Sequence, residues 1–504
     1  MTGRKGGKPV RKARPSVPPR ETALVGLILL NVLWLAFALG GVRLWGELTA
    51  WVLSVATLLL LPRWETGEIH GLSSPVYQLL KLPLFWLGLG LMSVFFIQSW
   101  NLEWEWQIVN GRPHLVYLQP LVDWLPTGVM TPIEESNPLR SMIFYSIPWL
   151  TCCSAWAGLG TRRSVQRLLH GLAWIGVVFA LVALQQHFLD LRYILGLFPE
   201  LPTRAGAEIP FWGTLHNCNH AAYFLILATG FCLGLFLYGW YRDLRQFKRS
   251  GGAWLLYLGL ALLTTFSVLM AQARGAIGFV LLQWLLFILI CTFFFIRRFG
   301  WIGLSLPGLF GLIVLAVGGT FIINPDVFEN QKKEWIKTFS LVENPELEAR
   351  YYMVQIASDM VEDRPWFGHG AGSWRYLHLP YLENYPEFKT KRIRWEKNAA
   401  TGKYQRRNVT VWFQNAHVDL MEYLVDWGIV GCLFPVMAAL WLFYRGLRAF
   451  RGWDPGLATL LATVLAVFLG ALVEFHFRIP LVLLVWSLMF TLAIKLTELN
   501  ARAN

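Results

Sequence analysis

The sequence predicts an all-α polytopic membrane protein, and three observations predict it. Of its 504 residues, 55% are hydrophobic and 15% charged, and the mean hydropathy is +0.46. The 26 Trp and 34 Phe suit a chain that lines two bilayer interfaces with aromatic belts. Apolar runs long enough to cross ~30 Å of hydrocarbon recur about twelve times.

In order, the runs fall at 22–41, 46–62, 77–99, 139–160, 168–188, 220–240, 253–272, 275–296, 301–323, 420–444, 456–474 and 479–497. Lys and Arg gather in alternate connections: Arg63; Arg162, Arg163 and Arg167; Arg242, Arg245, Lys248 and Arg249; Arg297 and Arg298; Arg445, Arg448 and Arg451; Lys495 and Arg502. That alternation, with an even count of spans, predicts both termini in the cytoplasm and the long connections on the opposite face. The domain reading is therefore a disordered basic cytoplasmic tail over 1–20, spans one to nine over 21–323, a large outer loop over 324–416, the last three spans over 417–497 and a short cytoplasmic tail over 498–504. A signal peptide is the competing reading of the N-terminus, but no small-residue cleavage site follows the first apolar run.

The net charge of +13 sits in those short connections, so it reads as membrane orientation and not as a nucleic-acid surface. The six Cys, at 152, 153, 218, 232, 291 and 432, lie in or beside apolar runs without a paired pattern; neither a disulfide framework nor a zinc site is expected.

Three outer connections, 100–138, 189–219 and 324–416, are longer than a turn. The first, rich in Trp and Pro, is expected to lie on the membrane surface. The third contains an amphipathic helix from Glu348 to Glu362, with Met353, Ile356, Ala357, Met360 and Val361 on one face. A turn, Asp363-Arg364-Pro365, ends it, and the Gly-rich loop GHGAGSW follows at 368–374. That loop lacks the preceding strand and the Lys-Ser/Thr of a phosphate loop, so no nucleotide is expected there. The basic stretch 389–407 reads as a solvated hairpin-like insertion.

The candidate chemistry lies at the outer edge of the spans. His417 stands where the large loop meets a hydrophobic run, and an imidazole with a pKa near ~6.5 can take a proton from a hydroxyl at ordinary pH. Its bland alternative is an interfacial histidine that only makes a hydrogen bond. Gly428 and Gly431 allow a break or close packing as the following helix enters the bilayer. Arg274, in AQARGAIGF, sits at the junction of two runs, where a guanidinium costs ~2.5 kcal/mol or more unless it is paired or faces water; snorkelling to head groups is the alternative. Arg204 and Arg350 are further outer guanidiniums, and two or three converging on one cavity would suit a diphosphate. His216, Asn219 and His220 have no carboxylate motif beside them, so local hydrogen bonding is the preferred reading over a metal. Glu474 and Arg478 flank His476 and read as a local ion pair.

Five of these segments have a common precedent. WGTLHNCNHAAYF, ARGA, RYYMVQIASDMVEDRPWFGHGAGSW, AHVDLMEYLVDWGIVG and EFHFRIP, in this order over about residues 200 to 490, resemble the motifs of the O-antigen ligase and polymerase family of bacterial envelope glycosyltransferases. Departures exist: Ala273 stands where Ser is common, Val418 replaces a polar residue after the histidine, and Glu474 stands for Asp.

The resemblance implies a GT-C-like membrane fold with one large periplasmic loop containing short helices, in a bacterial inner membrane. It implies transfer of a glycan from an undecaprenyl-diphosphate carrier to a glycan, lipid or protein acceptor at the periplasmic face, inverting the anomeric centre without metal or cofactor. Carried over by position, His417 is the general base, and Arg274 and Arg204 hold the diphosphate; beside the resemblance, Arg350 is a further candidate diphosphate ligand on its charge, and Asn219, Glu474, His476 and Arg478 are candidate supporting residues. Ligase, polymerase and protein O-oligosaccharyltransferase stay open. A transporter, akin to superfamily members linked to inorganic-carbon uptake, is the main alternative, and a non-catalytic envelope scaffold is the third; a transporter is expected to show an inverted repeat and broken spans at the bilayer midplane, and the sequence shows neither.

Overall fold

A computed structural model describes residues 17–61, 74–109, 112–191, 193–195, 198–199, 211–246, 252–300, 345–391, 393–397, 404–408, 413–449 and 454–503. Its α-helices are α1 (Pro19–Phe37), α2 (Leu44–Leu59), α3 (Pro75–Leu80), α4 (Pro83–Trp100), α5 (Pro138–Gly158), α6 (Arg162–Phe188), α7 (Cys218–Gln246), α8 (Leu255–Met270), α9 (Arg274–Phe299), α10 (Pro345–Asp363), α11 (Trp374–Tyr381), α12 (Pro386–Lys391), α13 (Asp419–Ala449), α14 (Pro455–Gly470) and α15 (Pro480–Ala503). Among the described residues, seven helices are long and apolar enough to cross a membrane (α1, α4, α6, α7, α9, α13 and α15), and α2, α8 and α14 are apolar but shorter. The expected span 301–323 and the candidate Arg204 lie outside the described residues.

The run expected at 77–99 is two helices. Pro83 has no N–H to continue a helix from α3 and restricts Leu82 before it, so α4 begins afresh with Pro83 in its first turn. In α5, Asn137 caps the N-terminus by accepting the Arg140 N–H at 2.8 Å.

The helices alternate in direction, and one end of the bundle collects the loops that matter. There Trp212 Nε1 donates to Ser267 Oγ near the end of α8 at 3.1 Å, and Thr214 Oγ1 donates to Ala36 O near the end of α1. Asp419 N–H donates to Ala471 O just past α14 at 3.1 Å. At the opposite end Thr161 Oγ1 donates to Glu21 Oε2 at 2.8 Å, Arg162 Nε donates to Leu499 O at 2.9 Å, and Arg445 pairs with Glu498 at 2.6 Å. The first turn of α1 and the last turns of α15 thus share the end rich in arginine.

The main core runs through α1, α6, α7, α14 and α15, with Phe179, Tyr223, Phe224 and Phe231 buried in it. A second core caps the loop end. The amphipathic helix borne out as α10 buries Met353, Ile356, Ala357 and Met360 against Trp374, Tyr376 and Leu377 of α11 and Val425 of α13. Against it packs a three-stranded sheet in the order β2-β1-β3, formed by β1 (Leu102–Val109), antiparallel β2 (Arg112–Tyr117) and parallel β3 (Gly128–Met130). The insertion at 389–407 contains the expected hairpin, pairing Ile393–Lys397 with Tyr404–Asn408.

Candidate functional site

The site is built around a break in α13. Gly428 has φ 64° and ψ −173° inside that helix, and the two hydrogen bonds that would span it are replaced by four to the loop after α10. Val425 O accepts the His369 N–H at 2.7 Å and Asp426 O accepts the Gly370 N–H at 3.0 Å, while Ile429 N–H donates to Pro365 O at 2.8 Å and Val430 N–H donates to Trp366 O at 3.0 Å. The loop is therefore spliced into the helix ladder, and these four backbone groups of α13 find partners outside the helix. Only glycines permit this approach: a Cβ on Gly428 would stand 2.4 Å from Trp366 O, and one on Gly368, at φ 66°, would stand 2.5 Å from Val425 O.

Side chains lock the splice. Gln98, buried at the end of α4, accepts the Ala371 N–H at 3.0 Å and directs its Nε2 toward Phe367 O and Asp426 O, each at 3.4 Å. Asp426 Oδ1 accepts the Trp374 N–H at 3.1 Å and the Ser373 hydroxyl at 3.2 Å. Its other oxygen meets Arg478 Nη2 at 2.8 Å, and the same nitrogen lies 3.1 Å from Glu422 Oε1. Arg478 also lies over the Tyr423 ring at 4.8 Å.

His417 precedes α13 and is half-buried. Its φ of 58° puts a residue with a Cβ in the left-handed region, a conformation that costs ~1–2 kcal/mol and persists only where the surroundings impose it. Part of that surrounding is the Glu422 carboxylate, which accepts the Ala416 N–H at 2.8 Å and the Asn415 amide at 3.2 Å. Another part is Phe475, whose ring stands perpendicular to His417 at 4.7 Å and to His220 at 4.8 Å and 84°. His476 stacks on Tyr223 at 3.7 Å, and its Nε2 donates to Val467 O, 3.1 Å away; burial, with His220 nearby, pushes its pKa down to about 3, so it is a neutral imidazole.

The expected local ion pair between Glu474 and Arg478 does not form. Glu474 pairs with Arg350 of α10 at 2.6 Å and accepts from Asn219 Nδ2 of α7 at 3.4 Å, while Arg478 turns to the carboxylates of α13. The reason is geometric: Arg478 ends a 3₁₀ turn, His476–Arg478, that aims its side chain into the bundle. Arg350 also donates to Val473 O at 2.7 Å, so both of its outer nitrogens hold the 471–479 turn. Arg274 is exposed at the first position of α9. Its helix approaches the same group of residues through Phe279, whose ring is 6.0 Å from Tyr223. His417, Asn219, Arg350, Glu474, His476 and Arg478 thus meet around one turn, with Arg274 at the same end of the bundle. Among the described residues, no group of three or more His, Cys, Asp or Glu side chains is placed to hold a metal ion.

Residues 258–436 match the family model described as O-antigen ligase. The match supports an O-antigen ligase-like family. The matched stretch carries Arg274, Arg350, the spliced loop, His417 and the break at Gly428; the 471–479 turn lies beyond it. The apolar helices describe a multi-pass membrane protein, and the matched stretch makes it similar to O-antigen ligases; the match does not support the transporter alternative. No curated protein matches the chain.

Sequence reasoning missed Gln98, Phe475 and the role of Asp426 in this site. An amide and a carboxylate inside apolar runs were the available signal, since polar groups at such depth are costly unless partnered. Phe475 had no signal among 34 phenylalanines.

Proposed function

We propose that this protein transfers a glycan from an undecaprenyl-diphosphate carrier to an acceptor hydroxyl at the periplasmic face of a bacterial inner membrane. The observation that carries the reading is the O-antigen ligase match, which spans both the strained His417 and the exposed Arg274. In this reading His417 takes the proton from the acceptor hydroxyl as its oxygen attacks the anomeric carbon. The bond to the diphosphate breaks on the far side, and the centre inverts.

Negative charge grows on the departing diphosphate, and Arg274 supplies a permanent cation there, aided by the positive N-terminal end of α9. Arg204 is a second cation for the same group. Arg350, engaged with Glu474 and Val473 O, serves by holding the turn that carries Phe475 and His476.

The test is reconstitution of the purified protein in lipid vesicles with undecaprenyl-diphosphate-linked glycan and a panel of glycan, lipid and protein acceptors. Release of undecaprenyl diphosphate that depends on acceptor supports the reading. Release without acceptor, or none with any acceptor, overturns it.

A further inference from the structure

The surface around the end of α4 is used neither by the bundle core nor by the transfer chemistry. Trp100 is 59% exposed, Leu121 64%, Trp124 77% and Trp366 65%. The groups that hold their backbones are the reverse, polar and buried. Asn101 Nδ2 donates to Val122 O at 2.9 Å and to Leu125 O at 3.2 Å, and its Oδ1 accepts the Val122 N–H at 3.0 Å. Gln98 reaches the Trp366–Phe367 segment through Phe367 O. The segments that follow the two loops meet: a Cβ on Gly370 would stand 2.6 Å from Gly128 Cα.

A loop in bulk water turns its polar side chains outward and hides its apolar ones. Here amides are inside and tryptophans outside. The patch is also continuous with a lipid face, because α4 is long and apolar enough to span a membrane and exposes Trp86, Leu89 and Phe96 along its length. Tryptophan is the residue that sits at the head-group level, where its ring is in an apolar layer and its N–H reaches polar groups.

We propose that the loops 121–126 and 365–367 insert into the head-group zone of the leaflet at the site end of the bundle, with a phospholipid surface as their partner. The second loop is the one spliced into α13. Lipid contact through Trp366 therefore sets the depth of the splice, and through it the height of the helix that starts just after His417. The inference rests on the membrane-spanning character of α4 and not on the transfer reaction.

The experiment uses the full-length protein in phospholipid nanodiscs, with a bimane label on Trp124→Cys, on Trp366→Cys and, as an aqueous reference, on Asn384→Cys, an exposed position on the loop-side core. Wild type carried through the same labelling supplies the background from its own cysteines. Nitroxide lipids labelled near the head group should quench positions 124 and 366 several-fold more than nitroxides near the chain terminus, and iodide should quench both less than position 384. Iodide quenching at either position equal to that at 384, or deep nitroxides quenching as well as shallow ones, overturns the proposal. A variant that aggregates on size exclusion is replaced by Leu121→Cys or Phe367→Cys, the other exposed apolar positions of the same two loops. No turnover is read, so the outcome is independent of the proposed reaction.

Discussion

Arg478 Nη2 lies 2.8 Å from Asp426 Oδ2, joining the turn before the last helix to the carboxylate that caps the spliced loop. One guanidinium therefore holds both walls of the site. Replacing it with an apolar residue leaves two buried carboxylates without their counter-charge, a loss of ~3–5 kcal/mol. Arg478→Met should express poorly or unfold well below wild type in a detergent thermal scan. Arg478→Lys keeps the charge and should fall between the two; a methionine variant as stable as wild type would show that the pair contributes nothing.

The break in α13 demands glycine. Gly428→Ala forces a Cβ into Trp366 O at 2.4 Å while retaining φ 64°, and the combined clash and strain should cost ~1–3 kcal/mol. Gly278→Ala, in α9 with open space around it, is the matched control and should be neutral or stabilising by up to ~1 kcal/mol. Thermal unfolding of both in one detergent decides it. Equal midpoints would mean that the splice is not cooperative with the fold.

His417→Ala should abolish acceptor-dependent release of undecaprenyl diphosphate and leave the unfolding midpoint near that of wild type, because a half-buried imidazole in a strained backbone adds little net stability. Arg274→Lys should lose most of the same activity, since an ammonium does not reproduce the two-pronged guanidinium contact with phosphate. Retained turnover in the alanine variant would remove the base from His417.

The loop-side core should weaken in acid. Burial, against a smaller opposing effect of Trp374 O, pushes the pKa of His378 down to about 4 from 6.5. A depressed folded pKa means that the unfolded chain binds more protons between those values, so the contribution is complete above about pH 6.5 and is lost as pH falls toward 4. Glu103 acts in the same direction at lower pH: burial alone would raise it, but the Arg364 pairing and the Thr127 hydrogen bond outweigh that and lower it. Hydrogen exchange of α11 amides should accelerate from pH 7 to pH 4.5 beyond the intrinsic rate change, and His378→Gln should flatten the trend. Constant protection across that range would contradict the burial of a neutral imidazole.

Much of this architecture is legible in the sequence because it follows from local rules. The spacing of Met353, Ile356, Ala357 and Met360 predicts the buried face of α10, and Gly428 and Gly431 allow a break or close packing, of which the structure shows the break, at Gly428. Pro83 could have split the run at 77–99, but a continuous hydropathy window outweighs one residue. The ion pairs were not legible. Glu474 and Arg478 are four apart, yet each finds a partner from a distant helix, at Arg350 and at Glu422 and Asp426, because the 3₁₀ turn decides where the side chains point. Gln98 illustrates the same limit: its polarity is visible, but the loop it holds is more than 250 positions away in the chain.

The splice between 365–370 and 425–430 also sets what an engineer can exchange. A chimera that grafts the large loop of a related enzyme onto this scaffold severs four main-chain contacts unless both segments travel together, so the natural cassette runs from the end of α10 through the first three turns of α13. Grafts cut at the visible boundary, just before His417, should misassemble, and grafts carried to Gly431 should insert and fold.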